Sequence, residues 1–274
     1  LVFDIQDIGS RFYTYISTLG ECLTLAGKEK KKFFVLDRPN PIGGVAVEGP
    51  MRDGEGSFVA WHELPVRHGM TVGELARMFN EERKLGADLA VVQCENWSRD
   101  VWFDGCDLPW VNPSPNMRSL TAAALYPGVG LIEFCKVSVG RGTDRPFELV
   151  GAPYIDDRKL ADELNALELP GVRFVPVRFT PNASVFKGKE CNGVQINVIN
   201  REQIATAELG VALGTTIHKH WPKEFVVDSM KKLLVHPATR EAIKRGDSLG
   251  TIRGLWIEAG KPFRQRRAKF LIYP

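Results

Sequence analysis

The sequence predicts an α/β protein, with a parallel sheet alternating with helices in its first half and a smaller α/β (α+β) region after it. Three observations carry this. Val2-Phe3, Phe33-Phe34-Val35-Leu36 and Leu89-Ala90-Val91-Val92 are short apolar runs of the kind that buried parallel strands show. Helical patterns separate them, and the order strand, helix, strand, helix, strand implies right-handed crossovers. The chain of 274 residues is long enough to bury a core in one or two domains without disulfides or metals.

The first helix is expected over Ser10 to about Gly27, with Phe12, Ile16, Leu19, Leu23 and Ala26 three and four apart and Gly27 as its stop. Thr71-Val72-Gly73-Glu74 has the form of a capping box, followed by Leu75, Met78 and Phe79 as an apolar stripe. A long irregular stretch is expected from about Asn96 to Gly130. From Ala152 onward the pattern becomes α+β. It has a helix near Asp157 to Leu167, strands over Val172 to Val177 and Val194 to Val198, then helices over Ile204 to His218, Glu224 to Leu234, Pro237 to Ala242 and Ser248 to Lys269.

Composition excludes several function classes. With 44% hydrophobic and 25% charged residues the chain is not disordered or fibrous. No apolar run approaches the roughly 20 residues of a membrane span. The net charge of +3 is too small to imply a polyanion partner. Lys28, Lys30, Lys31 and Lys32 read as a solvated helix-to-strand turn, and Arg264, Arg266, Arg267 and Lys269 as the wet face of a terminal helix, so nucleic-acid binding is not expected. Five cysteines without a C-x-x-C pair support neither zinc nor dithiol chemistry, and buried free thiols are expected. His218, His220 and His236 read as cap or interface residues.

Ligands of such sheets bind beyond the carboxyl ends of the strands. The residues there are polar: Asp4, Gln6, Asp7 and Arg11 after the first run, Asp37-Arg38-Pro39-Asn40 after the second, Glu95 and Asn96 after the third. Asp4, Asp7 and Asp37 are therefore expected to line one cleft with Arg38 and Asn40, whether for acid/base work, polyol binding or a metal, the alternative being capping of loops and helices. Trp97, Trp102 and Trp110 are suited either to stacking on a sugar or to packing their own loop. In Gly140-Arg141-Gly142-Thr143 two glycines flank a guanidinium suited to a carboxylate or phosphate, the alternative being a tight turn.

Phe3-Asp4-Ile5-Gln6-Asp7-Ile8-Gly9, Arg11-Phe12-Tyr13-Thr14-Tyr15, Leu36-Asp37-Arg38-Pro39-Asn40-Pro41 through Glu48-Gly49-Pro50, Pro113-Ser114-Pro115-Asn116-Met117 and Gly140-Arg141-Gly142-Thr143 with Pro146-Phe147-Glu148 together resemble the exo-β-N-acetylmuramidase (NamZ, formerly DUF1343) glycoside hydrolase family. The resemblance runs through nearly the whole chain, to Lys269-Phe270-Leu271-Ile272-Tyr273. It implies a Rossmann-like catalytic domain, of which residues 1–125 are the C-terminal part, a C-terminal α/β domain over residues 126–274, and a cleft between them. It also implies release of terminal N-acetylmuramic acid from peptidoglycan fragments of the bacterial cell wall without a redox or metal cofactor, in a secreted or periplasmic setting. The family pattern Glu-Gly-Thr-Asn is Glu133-Phe134-Cys135-Lys136 here.

Glycoside hydrolysis pairs two carboxyl groups across the scissile bond. On the resemblance the catalytic candidates are Glu48 and Glu133, then Asp4 and Asp7. Arg11, Tyr13, Tyr15, Asp37, Arg38, Asn40, Asn116 and Arg141 are the candidates for holding substrate. The opening Leu1-Val2-Phe3-Asp4 reads as the inside of a strand, so the chain is expected to lack a family segment that holds a catalytic glutamate, and to hydrolyse little as written. A non-catalytic cell-wall-binding module is the rival reading. A Rossmann-type nucleotide enzyme is a weaker one, for want of a G-x-G-x-x-G after a strand.

Overall fold

Residues 1–274 are described in a computed structural model, in which the chain forms two compact units: Leu1–Pro113 with Glu258–Pro274, and Ser114–Ile257. The first unit contains β1 (Val2–Phe3), α1 (Tyr15–Lys28), β2 (Lys32–Leu36), β3 (Glu48–Met51), β4 (Pro65–Arg67), α2 (Val72–Glu82) and β5 (Asp88–Val92). The second contains α3 (Leu120–Val129), β6 (Leu149–Ala152), α4 (Asp157–Ala166), β7 (Val172–Phe179), β8 (Cys191–Val198), α5 (Thr206–His220) and α6 (Pro237–Arg245). Helix α7 (Leu249–Ala268) runs across the division. The sequence-expected boundary at residues 125/126 lies inside α3, a helix of the second unit.

The three predicted runs are the parallel sheet, in the order β1-β2-β5, with Val2 opposite Phe34 and Lys32 opposite Asp88. Phe33 and Val35 are buried while Phe34 between them is half-exposed, so β2 buries one face only, against α1 and α2 through Leu19, Leu23, Leu75 and Phe79. Helix α1 starts at Tyr15 and not at Ser10, because Ser10 bridges to Arg67 and the Arg11 N–H donates to the Val66 carbonyl at 2.9 Å. Gly27 lies inside that helix, where a Cβ would strike the Leu85 carbonyl. The capping box of α2 is formed as expected: the Glu74 N–H donates to Thr71 Oγ1 at 3.3 Å, and the Thr71 N–H donates to Glu74 Oε2 at 3.0 Å.

Beside this sheet β3 and β4 form an antiparallel hairpin, unanticipated because the strands are short and hold Pro50, Gly49 and Pro65. Buried arginines hold it. Arg11 Nη1 donates to the carbonyls of Pro50 (3.1 Å) and Leu64 (2.9 Å), and Arg267 Nη1 to those of Gly44 (3.1 Å) and Gly69 (2.7 Å). The terminal basic cluster is thus not a solvated face throughout. Arg267 is buried, and Arg264 donates to the Val47 carbonyl at 3.0 Å. The lysines at 28 and 30–32 are exposed, as expected.

His62 joins hairpin and helix. Its Nε2 meets Glu82 Oε2 at 2.6 Å, and its Nδ1 accepts from Arg83 Nε at 3.3 Å. A proton on Nδ1 would set one N–H against another, and burial with Arg266, Arg83 and Arg52 nearby pushes the imidazole down to about 3. The folded pKa lies below the unfolded one, so this contribution is complete above pH ~6.5 and is lost as pH falls toward 3, by up to about 1.4 kcal/mol per unit. Urea titrations at pH 7.5 and 5 should show the wild type losing about 1–2 kcal/mol more than His62→Gln, which keeps a donor and an acceptor. Burial raises Glu82, whose contribution runs the opposite way in both proteins and cancels in the comparison. Equal acid losses would contradict this account.

In the second unit the sheet is antiparallel, β6-β8-β7, with Val172 opposite Val198 and Val150 opposite Val194. Helix α3, capped by Ser119 Oγ accepting from the Ala122 N–H at 3.0 Å, occupies the end of the stretch expected to be irregular. The expected helix at Glu224 to Leu234 is a short 3-10 turn, Val227–Lys232. Helices α3 and α5 meet through glycines. A Cβ on Gly128 would strike the Thr206 carbonyl, and one on Gly210 the Gly128 carbonyl. Gly128→Ala should therefore destabilise this unit by about 1–3 kcal/mol despite alanine's better helix propensity. A urea midpoint equal to or above wild type would show that the helices can separate freely.

Candidate active site

The carboxyl ends of the three parallel strands open onto a cavity of about 540 Å³, lined by Asp4 after β1, Asp37 and Arg38 after β2, and Cys94, Glu95 and Asn96 after β5. A second cavity of about 360 Å³, lined by Gln6, Trp110 and Asn112, shares Asp4 and Arg38 with the first. These two residues form a partly exposed ion pair, with Arg38 Nε donating to Asp4 Oδ1 at 2.8 Å.

The cleft expected from the strand ends thus gathers Asp4, Asp37 and Arg38, while Asp7 and Asn40 face inward. Asp7 is buried, its Oδ2 accepting the Gly9 N–H at 2.7 Å and lying 3.4 Å from Nε2 of the fully buried His68. Asn40 is also buried, donating to the Met70 carbonyl at 3.0 Å and accepting from the Ile42 N–H at 3.2 Å. Both fasten the loops that carry the strand ends. Asp37 is at the cleft, yet both its oxygens are engaged: Oδ1 accepts from the N–H groups of Arg38 (3.0 Å) and Gly73 (2.7 Å), and Oδ2 from the hydroxyls of Thr71 (2.7 Å) and Tyr273 (2.6 Å). Desolvation raises its carboxyl above the ordinary value in spite of these donors.

Arg11, expected at the substrate, is a scaffold group. It is buried on backbone carbonyls, and desolvation together with Arg52 pulls it down to about 9. Tyr13 is buried edge-on to Tyr15 at 5.1 Å, and the Tyr15 hydroxyl donates to the Pro113 carbonyl at 2.9 Å. Trp97 and Trp102 are buried, so these two pack their own loop. Trp97 stands edge-on to Tyr273 at 5.0 Å, and Trp102 lies 5.5 Å from the Arg67 guanidinium. Trp110 is half-exposed at the smaller cavity. Burial pushes the thiols of Cys94 and Cys191 up to about 11 and that of Cys135 to about 12, which disfavours the thiolate. Cys135 and Cys191 are buried, whereas Cys22 and Cys94, also expected to be buried, keep partial exposure because they lie at the edge of the core and at the cavity.

Glu48 opens β3, and its Oε1 accepts from Arg67 Nη1 at 2.6 Å. Its side chain keeps 17% of its surface exposed, which combines a fixed position with access. In the second unit Glu133 pairs with Nε of Arg141. Asn116, in the loop that leads into α3, is half-buried. His218, His220 and His236 take the structural roles expected of them: His220 meets Glu163 at 2.5 Å, and His236 Nδ1 caps α6.

Contacts not anticipated from the sequence complete the first unit's frame. Glu74, fully buried, pairs with Arg99 and accepts the Ile272 N–H at 2.8 Å. For Arg67 and His68 the one signal in the sequence is that they are polar positions inside the run Pro65-Val66-Arg67-His68-Gly69-Met70.

Comparison with known proteins agrees with this frame over its whole length. A curated relative, the peptidoglycan beta-N-acetylmuramidase NamZ of Bacillus subtilis (strain 168), is 43% identical over 277 residues, covering all of this chain and 67% of the relative. Two crystal structures of DUF1343 family proteins from Bacteroides fragilis NCTC 9343 share the fold. One, BF0371, has a TM-score of 0.93 and 34% identity over all of this chain and 74% of its own; the other, BF0379, has a TM-score of 0.82 and 30% identity over 99% and 75%. The description "Exo-beta-N-acetylmuramidase NamZ, N-terminal" matches residues 1–121, and its C-terminal counterpart residues 124–273. With both parts matched in order and a relative this similar along the full chain, the chain belongs to the exo-β-N-acetylmuramidase NamZ family.

Proposed function

We propose that this protein is a glycoside hydrolase that releases terminal N-acetylmuramic acid from the non-reducing end of peptidoglycan fragments. The 43% identity to a peptidoglycan β-N-acetylmuramidase, which covers all of this chain, carries this reading. Muramyl saccharides are its substrates, and it acts outside the cytoplasm, where that polymer lies. No helix is long and apolar enough to cross a membrane.

Within the first unit, Glu48 is the carboxyl group best suited to the chemistry. A catalytic carboxyl must be held in place yet reach the sugar. Asp7 is enclosed, and Asp4 sits in a solvent-screened pair with 47% of its side chain exposed, whereas Glu48 is fixed by Arg67 and still accessible. Arg38 supplies a donor along the cleft, Gln6, whose amide nitrogen donates to the Asp7 and Pro39 carbonyls, supplies an acceptor, and Trp110 an aromatic wall.

The test uses chromogenic glycosides of N-acetylmuramic acid and N-acetylglucosamine with the protein expressed from its complete gene. Chromophore release from the first alone is expected. Saturable binding without release would instead support a non-catalytic wall-binding module. Fractionation of cells, with the protein expected outside the cytoplasmic pool, tests the location.

A further inference from the structure

N-acetylmuramic acid differs from N-acetylglucosamine by a lactyl ether that ends in a carboxylate, so an enzyme selective for it needs a cation with a free, fixed donor edge. The second unit holds such a group. Nε of Arg141 is taken by Glu133, and its guanidinium lies 4.9 Å over the ring of Phe147. Nη1 and Nη2 have no protein partner, and 29% of the side chain is exposed. Arg141 is thus pinned along one edge and one face, with its other edge open.

The backbone around it is shaped for this placement. Gly140 and Gly142 stand at φ 78 and 81, in the left-handed region that favours glycine. A Cβ on Gly140 would come within 2.7 Å of the Arg145 carbonyl, and one on Gly142 would strike Ala183. The loop is closed by the Phe147 N–H on the Val139 carbonyl at 2.7 Å and by the Asn182 N–H on the Gly142 carbonyl at 2.8 Å. Phe147 itself is at φ 66, a conformation that a bulky side chain rarely adopts, and its ring is fully buried, edge-on to Tyr126 at 4.7 Å. Strain of this kind persists where the surroundings enforce it, and here it sets the ring beneath the guanidinium. Glu133 keeps only 18% of its side chain exposed, and the preceding short turn, Gly130–Ile132, places it.

We infer that Arg141 binds the lactyl carboxylate of N-acetylmuramic acid through its two terminal nitrogens, and that Glu133 is the positioning residue that orients it rather than a proton donor to the sugar. The inference rests on the proposed muramidase activity and adds to it the group that selects the substrate. Guanidinium and carboxylate match in two parallel hydrogen bonds, so the selectivity depends on geometry as well as charge.

Calorimetric titration of the full protein with N-acetylmuramic acid and with its methyl ester separates the contribution of the carboxylate. The wild type should bind the acid about 10- to 100-fold more tightly than the ester, the range for a charge-assisted pair. Arg141→Ala should bind the two alike, and Arg141→Lys, which keeps the charge but not the paired edge, should recover only part of the preference. Glu133→Gln, whose Oε1 still accepts from Nε, should keep most of it, whereas Glu133→Ala should lose it with Arg141 still present. An undiminished preference in Arg141→Ala would overturn the carboxylate assignment, and one in Glu133→Ala the positioning role. A wild type that hydrolyses the muramic glycoside but binds acid and ester alike would overturn this inference alone. A wild type that neither binds nor hydrolyses would overturn the activity reading beneath it.

Discussion

Asp37→Ala should lower the stability of the first unit by about 3–5 kcal/mol, because it strips the acceptor from four donors, three of them from distant parts of the chain. The N–H groups of Arg38 and Gly73 and the hydroxyls of Thr71 and Tyr273 all end on this carboxylate. Thr71 and Tyr273 are buried, and each such donor left unsatisfied costs about 1–3 kcal/mol. Asp37→Asn should fall between alanine and wild type, since its amide keeps one acceptor and turns a donor toward donors. Desolvation sets the folded pKa of Asp37 above its unfolded value, so its net contribution is largest below pH ~3.8 and declines as pH rises through the folded pKa. The alanine variant should therefore be most damaging in acid. Urea denaturation followed by circular dichroism measures this. A loss under about 1 kcal/mol at neutral pH would mean that the carboxylate is held loosely and is free for substrate, as its place at a strand end first suggested.

Glu48→Gln is expected to reduce kcat on a muramic glycoside by about 10² to 10⁴ with little change in KM or stability. The amide oxygen of the substituted side chain would still accept from Arg67, so the tie between the two strands of the hairpin survives while the titratable group is gone. Loss of activity without loss of stability would place the group in the chemistry. If kcat stays within about tenfold of wild type, Glu48 is the structural partner of Arg67, and Asp4→Asn becomes the next variant to measure.

The fold was legible where an element carries a short apolar run, an apolar stripe or a cap of its own. The runs at Phe33 and Leu89, the stripe Ile16-Leu19-Leu23 and the capping box at Thr71 each carry their own period or cap, and each appears in the structure where it was expected. Helix α3 was missed because Ala122 to Val129 are buried on every side and Pro127 interrupts the pattern, which leaves no amphipathic period to detect. The site was legible as far as topology goes: strand ends meet at one edge, so Asp4, Asp37 and Arg38 were placed at one cleft by the order of elements alone. What each side chain touches was not. Asp37 meets Tyr273 across 236 residues, and Arg11 meets Leu64 across 53, so their use as scaffold had no local signature. Trp97 and Trp102 sit in a polar stretch that suits stacking on a sugar and packing alike, and it is contacts with Tyr273 and Arg67 that decide for packing.

The most direct test of the muramidase assignment uses the natural linkage. Saccharides of alternating N-acetylmuramic acid and N-acetylglucosamine, prepared with either sugar at the non-reducing end, are incubated with the protein expressed from its complete gene, and the products are identified by mass spectrometry. Free N-acetylmuramic acid is expected, released only from chains that begin with it and leaving a product shorter by one sugar. Release of disaccharides from within the chain, or of N-acetylglucosamine from the chains that begin with it, would contradict the assignment.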